Sequence, residues 1–191
     1  MNRSRTVAFN KPYGTLSCFT DPQGRPTLSG FIPIPGVYAA GRLDFDSEGL
    51  LLLTSEGKLA HRIMDPRHKL PKVYWVQVER IPDAEALQKL QEGVLLSGRR
   101  TRPAQVTVLP DPPQLPPRLV PVRYRISVPT AWISVTVSEG RNRQIRRMTA
   151  AVGHPALRLV RVAIGPITLG DLQPGEWRDL SDAEVDSLRR V

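Results

Sequence analysis

The chain has 191 residues, 40% of them hydrophobic and 24% charged, enough for one ample domain or for two small subdomains sharing a cleft. No apolar run approaches the roughly 20 residues that span a bilayer, the apolar stretch after residues 1–5 is too short for a secretory signal, and the single cysteine, Cys18, excludes an intrachain disulfide and a cysteine-rich metal site. The net charge of +9 is mostly arginine, since Lys11, Lys58, Lys69, Lys72 and Lys89 are the only lysines; it points to a polyanionic partner, nucleic acid first, and a cytoplasmic location is expected.

Residues 6–9 read as a short strand entering the turn Asn10-Lys11-Pro12-Tyr13-Gly14. Residues 21–36, rich in Pro and Gly, read as loop with one helical turn, and residues 37–40 as a short extended piece ending at Gly41. Leu50, Leu51, Leu52 and Leu53, bounded by Gly49 and Ser55, predict a strand buried on both faces. Leu59, Ile63 and Met64 predict a helix over 58–64 that ends at Asp65-Pro66, followed by a linker at residues 65–71. Residues 73–79 alternate as a strand, with Tyr74, Val76 and Val78 on one face. Asp83 is an N-cap for a helix over 84–92, which Gly93 stops.

Residues 105–109 predict a further strand, and the proline-heavy residues 110–121 a surface loop. Residues 132–138 alternate as a half-buried strand. A helix is expected over 142–152 with Gly153 at its end, then a strand over 157–164. Strands and helices in no regular alternation predict an α+β domain on a mixed, largely antiparallel sheet with flanking helices. The three histidines, His61, His68 and His154, do not pair at metal-ligand spacing and read as structural or surface residues.

Two segments carry the chemistry. Gly41-Arg42-Leu43-Asp44-Phe45-Asp46-Ser47-Glu48-Gly49 puts a carboxylate in a glycine-flanked loop ahead of the leucine strand. Loops held by a rigid scaffold are where reactive groups sit; taken alone, Asp44 reads rather as a turn residue or helix cap. Glu139-Gly140-Arg141-Asn142-Arg143-Gln144-Ile145-Arg146-Arg147-Met148 crowds four arginines into the first turns of the expected helix, with Ile145, Met148 and Val152 as its apolar stripe. Cations oppose the partial positive charge of a helix N-terminus, so the pattern marks an anion site; the alternative is a solvated basic face.

The chain resembles the ribosomal small-subunit type of pseudouridine synthases. The resemblance rests on Gly41-Arg42-Leu43-Asp44 with Ser47 and the leucine run, and on four further segments in order: Asn10-Lys11-Pro12, Lys72-Val73-Tyr74, residues 139–148, and Leu157-Arg158-Leu159-Val160-Arg161 with Ile164-Gly165. It implies the pseudouridine synthase fold with a central cleft over residues 1–191. Subdomains of roughly 1–64 and 72–191 are expected to flank it. The pattern begins by Val7, which leaves no room for an N-terminal S4-type domain and is similar to the short branch of the family. Residues 31–40, 126–132 and 175–178 resemble that branch too, so large-subunit ribosomal RNA is the favoured substrate.

The reaction so implied breaks the bond from uracil N1 to ribose C1′, turns the base and rejoins it through C5. It needs no cofactor and no metal. The resemblance makes Asp44 the catalytic carboxylate, attacking C1′ or removing a ribose proton. It makes Arg146 the salt-bridge partner of Asp44, and Tyr74 the residue stacked on the extruded base; from its strand pattern alone Tyr74 reads equally as core. Arg42 is expected to fill the gap left by the base. Lys72, Arg141, Arg143 and Arg147 are expected to contact RNA, with Ile145 and Leu159 lining the pocket and Asp46 structural. Arg99, Arg100, Arg102, Arg118, Arg123 and Arg125 are further RNA-contact candidates. A monomer without membrane attachment is expected. The competing reading is a non-catalytic RNA-binding or ribosome-assembly factor; a carboxylate glycosidase would need a second acid as persuasive as Asp44.

Overall fold

The computed structural model describes residues 4–68, 70–123 and 125–190. In chain order its elements are β1 (Thr6–Lys11), β2 (Tyr38–Ala39), β3 (Glu48–Thr54), α1 (Gly57–Met64), β4 (Lys72–Glu79), α2 (Ala84–Glu92), β5 (Leu95–Leu96) and β6 (Arg99–Arg100). They continue with β7 (Gln105–Val108), β8 (Thr130–Val137), α3 (Gln144–Ala151), β9 (Ala156–Ile164), β10 (Ile167–Thr168), β11 (Trp177–Asp179) and α4 (Asp182–Arg190). The chain forms two compact units, one of Met1–Leu70 with Arg161–Val191 and one of Pro71–Val160. This division differs from the expected one at its end: residues 161–191 fall in the first unit, because β11 pairs antiparallel with β1. In the expected linker, Pro66–His68 make one 3-10 turn, and Lys69 lies outside the described residues.

The first unit is built around β3. All seven of its residues are buried, so the leucine run is covered on both faces as its composition requires. β1 pairs antiparallel along its whole length, from Thr6 opposite Thr54 to Lys11 opposite Gly49. On one face Val7, Phe9, Leu51 and Leu53 pack with Leu28, Ile32, Ile34 and Val37 from the long β1–β2 connection. Gly49 is obligatory: its φ is +100°, and a Cβ there would stand 2.3 Å from the Arg161 carbonyl oxygen. The same arginine donates from Nε to Leu50 O at 2.7 Å. α4 opens on a reciprocal capping box. Glu184 accepts from Ser181 N at 2.8 Å while Ser181 Oγ accepts from Glu184 N at 3.3 Å.

The second unit carries the antiparallel order β4-β8-β7. Tyr74, Val76 and Val78 are buried, and across the ladder Val135 and Ile133 stand opposite Tyr74 and Val76. Asp83 caps α2 by accepting from Ala86 N at 2.8 Å. His154 is buried and contacts Glu79 O through Nδ1 at 3.1 Å, a structural histidine. The hairpin β5–β6 turns on Ser97 and Gly98, with φ of +49° and +76°, the two positive values of a type I′ turn.

The expected 142–152 helix starts later. Arg143 adopts φ +47°, ψ +35°, and α3 begins at Gln144. Arg146 and Arg147 therefore lie in the first turn, while Arg141 and Arg143 belong to the bend before it. The bend is held by buried Gln144: its Oε1 accepts from Arg141 N at 3.0 Å and its Nε2 donates to Glu139 Oε1 at 2.7 Å.

Candidate active site

Asp44 and Arg42 belong to the first unit; Lys72, Tyr74, Arg141, Arg143, Ile145, Arg146, Arg147 and Leu159 belong to the second. Asp44 sits half-buried in the connection between β2 and β3, with Arg42 exposed beside it.

Three contacts fix the Asp44 backbone. The Ser17 hydroxyl both accepts from Leu43 N at 3.0 Å and donates to Leu43 O at 2.8 Å, spending donor and acceptor on the residue just before Asp44. Phe45 O, just after, accepts from Gly14 N at 2.9 Å. The turn then closes with Ser47 N donating to Asp44 O at 3.0 Å. A carboxylate pinned on both sides has little freedom left to lose on binding a ligand, so its position is set in advance.

Lys11 lies beneath this loop. Its ammonium is fully buried and donates to Thr15 O at 2.6 Å and Pro12 O at 3.0 Å. Burial pushes its pKa down to about 8, against the attraction of Glu48, Asp46 and Asp44, while Arg161 adds to the depression. The buried ammonium thus tethers the chain that also supplies Gly14 and Ser17, and its field acts on the acids of the loop.

In the second unit, Tyr74 is 9% exposed on β4, in the row expected to face inward. Lys72 is half-buried at the start of that strand, opposite Val137. Ile145 and Leu159 are buried. Arg146 Nη1 donates to Ala156 O at 3.1 Å, at the entry of β9. Arg147 Nη2 donates to Ser97 Oγ at 2.6 Å. Arg141 gives its guanidinium to Arg99 O (3.1 Å), Arg100 O (2.7 Å) and Glu139 (3.3 Å). Arg141 and Arg147 thereby hold the β5–β6 hairpin against α3, and Arg143 is exposed at the bend.

Sequence reasoning missed Ser17, Gly14 and the hairpin contacts. Nothing in local patterning singles out Ser17, because its partner is 26 residues away. The hairpin had a signal: two residues, Ser97-Gly98, between two short extended pairs.

The family model described as RNA pseudouridylate synthase matches residues 5–151. The chain is 62% identical over 187 residues to ribosomal large subunit pseudouridine synthase E of Xanthomonas campestris pv. campestris, covering 97% of each chain. It is 37% identical over 183 residues to ribosomal large subunit pseudouridine synthase B of Bacillus subtilis, covering 95% of this chain and 70% of that one. A crystal structure of a pseudouridylate synthase superposes with a TM-score of 0.83 at 32% identity, covering 98% of this chain and 75% of that one.

Proposed function

Because the chain belongs to the RNA pseudouridylate synthase family, we propose that it isomerises one uridine of large-subunit ribosomal RNA with Asp44 as the working carboxylate. The choice of the large subunit follows the name carried by the relative at 62% identity, which the chain matches over 97% of its length. The observation that carries the role of Asp44 is its mounting: a half-buried carboxylate whose neighbours on both sides are hydrogen-bonded to Gly14 and Ser17 in the segment that follows β1.

The target base leaves its stack, and Tyr74 receives the uracil face. The carboxylate either bonds to C1′ as the N1–C1′ bond breaks, or removes a ribose proton to give a glycal. The freed base turns and C5 bonds to C1′, as the bond from C1′ to the carboxylate breaks in the first route or as the ribose proton returns to the glycal in the second; the C5 proton is then lost and N1 is protonated. Arg146 supplies the guanidinium that keeps the carboxylate charged. Arg42 occupies the space vacated in the RNA, Ile145 and Leu159 wall the pocket, and Lys72, Arg143 and Arg147 take phosphates. Arg141, already engaged by two carbonyls and Glu139, shapes the RNA-facing surface. The reading places the protein in the cytoplasm, working as a monomer.

Single-turnover assays on large-subunit ribosomal RNA test this. Asp44→Asn is expected to bind RNA like the wild type and form no pseudouridine. Product formation by Asp44→Asn at the wild-type rate would remove Asp44 from the chemistry. Tyr74→Phe separates stacking from proton transfer: a wild-type rate assigns stacking alone, and a large loss gives the hydroxyl the C5 proton.

A further inference from the structure

The β5–β6 hairpin of the second unit takes no part in the chemistry above, yet it is tightly fastened. Arg147 Nη2 holds its turn at Ser97 Oγ (2.6 Å), and Arg141 bonds the carbonyls of both β6 residues, Arg99 O at 3.1 Å and Arg100 O at 2.7 Å. Its outer side stands clear. A Cβ on Gly98 would meet no atom within 4 Å, and Leu95, opposite Arg100 across the hairpin, is 64% exposed. A tight turn fixed by these contacts makes a rigid, projecting arm.

The charge on this arm is unbalanced. Arg99 and Arg100 are both exposed. Among the described residues the Arg99 side chain makes no hydrogen bond or ion pair, and the Arg100 guanidinium bonds only the neutral Gly93 carbonyl, at 2.6 Å. Arg147 likewise has a neutral partner in Ser97 and no carboxylate. The acid of the patch, Glu139, is already engaged: it accepts from Arg102 N at 2.9 Å and Gln144 Nε2 at 2.7 Å, and pairs with Arg141 at 3.3 Å. Glu92, just ahead of the hairpin, accepts from Gln88 at 2.8 Å. Guanidinium groups gathered on one rigid edge without a carboxylate attract a polyanion, and their planar fork suits phosphate.

Position ties the arm to the reaction. Arg147, which holds the turn, directly follows Arg146 on α3, so the arm is anchored about 3.8 Å along the chain from the guanidinium assigned to the carboxylate. We infer that the β5–β6 hairpin is an arm that grips the phosphodiester backbone flanking the target uridine, with Arg99 and Arg100 each taking a phosphate. The inference rests on the RNA-modifying reading above and deepens it. Phosphate contacts carry no base information, so the arm supplies affinity and register and leaves the choice of sequence to other contacts.

The test is equilibrium binding of two ribosomal RNA fragments of equal length, one containing the target uridine and one lacking it, from low to moderate salt. Arg99→Ala should lower the slope of log K against log salt by about 0.7–0.9, one phosphate contact, and the double variant Arg99→Ala, Arg100→Ala by about twice that, on both fragments alike. Arg99→Lys should keep the wild-type slope. Lys89→Ala, on α2 and already paired with Glu85, should leave it unchanged. A wild-type slope for the double variant, an equal fall for Lys89→Ala, or a loss confined to the fragment with the target would overturn the arm. Product formation by the wild type is scored separately: if it fails while the slopes behave as stated, the fault lies with the reaction assigned, not with the hairpin.

Discussion

Ser17 has no chemical step of its own, yet its hydroxyl holds Leu43 by both backbone groups and so sets where the next residue stands. Removing it leaves Asp44 in the sequence but frees the loop to sample other conformers. Ser17→Ala is expected to slow single-turnover product formation by about 10- to 100-fold, the cost of about an ångström of misplacement. RNA affinity should barely change, and Ser17→Thr, which keeps the hydroxyl, should recover most of the rate. A loss confined to affinity would contradict the positioning role. Arg146 and Arg143 separate in the same assay. Arg146 is half-buried and tied to Ala156 O, whereas Arg143 is exposed at the bend. Arg146→Ala should lose far more rate than Arg143→Ala, and equal losses would break the assignment.

Among the elements, α4 offers the cleanest test of local stability. Its capping box satisfies two backbone N–H groups, and Glu184 also holds Arg178 at 2.7 Å, which brings its carboxyl down to about 2. Glu184→Ala is expected to cost about 0.5–2 kcal/mol in chemical denaturation, and no change would mean that the helix end contributes nothing. The box was readable as Ser181-Asp182-Ala183-Glu184, a Ser followed three positions later by Glu, but no apolar run follows it to announce a helix. The buried strand β3, the alternation of β4 and β8 and the capped helix α2 were legible because each is decided by local periodicity or by one side chain. The start of α3 was not: Arg143 takes a left-handed conformation that arginine rarely prefers, and the buried Gln144–Glu139 contact that holds the bend is invisible to a pattern of charges. The mounting of Asp44 was equally hidden, since it depends on a serine and a glycine from another loop. The identity of Asp44 itself came from a motif, whereas its geometry came from contacts far apart in the chain.

At the scale of the whole molecule, stability should carry the mark of the fully buried Lys11 ammonium. Lys11 titrates near 8 in the folded protein against 10.5 for a free side chain. Between those values the unfolded chain binds more protons than the folded one, so stability from this group rises with pH. It is present in full above about 10.5 and is lost as pH falls through 8. The difference is roughly 3 kcal/mol at most. Urea unfolding of wild type and Lys11→Met at pH 7.5, 9 and 10.5 (chosen as roughly bracketing that window) should show the wild type gaining on the variant as pH rises. Parallel curves would mean that the ammonium is not buried as the structure has it.

The proposed role of Asp44 is to remake a glycosidic bond in large-subunit ribosomal RNA. Pseudouridine mapping of total ribosomal RNA, from cells lacking the protein and then supplied with the wild type or Asp44→Asn, addresses that directly. The account predicts one large-subunit site that is lost without the protein, returns with the wild type and stays uridine with Asp44→Asn. A map in which no ribosomal site changes, or in which Asp44→Asn restores the mark, would contradict it.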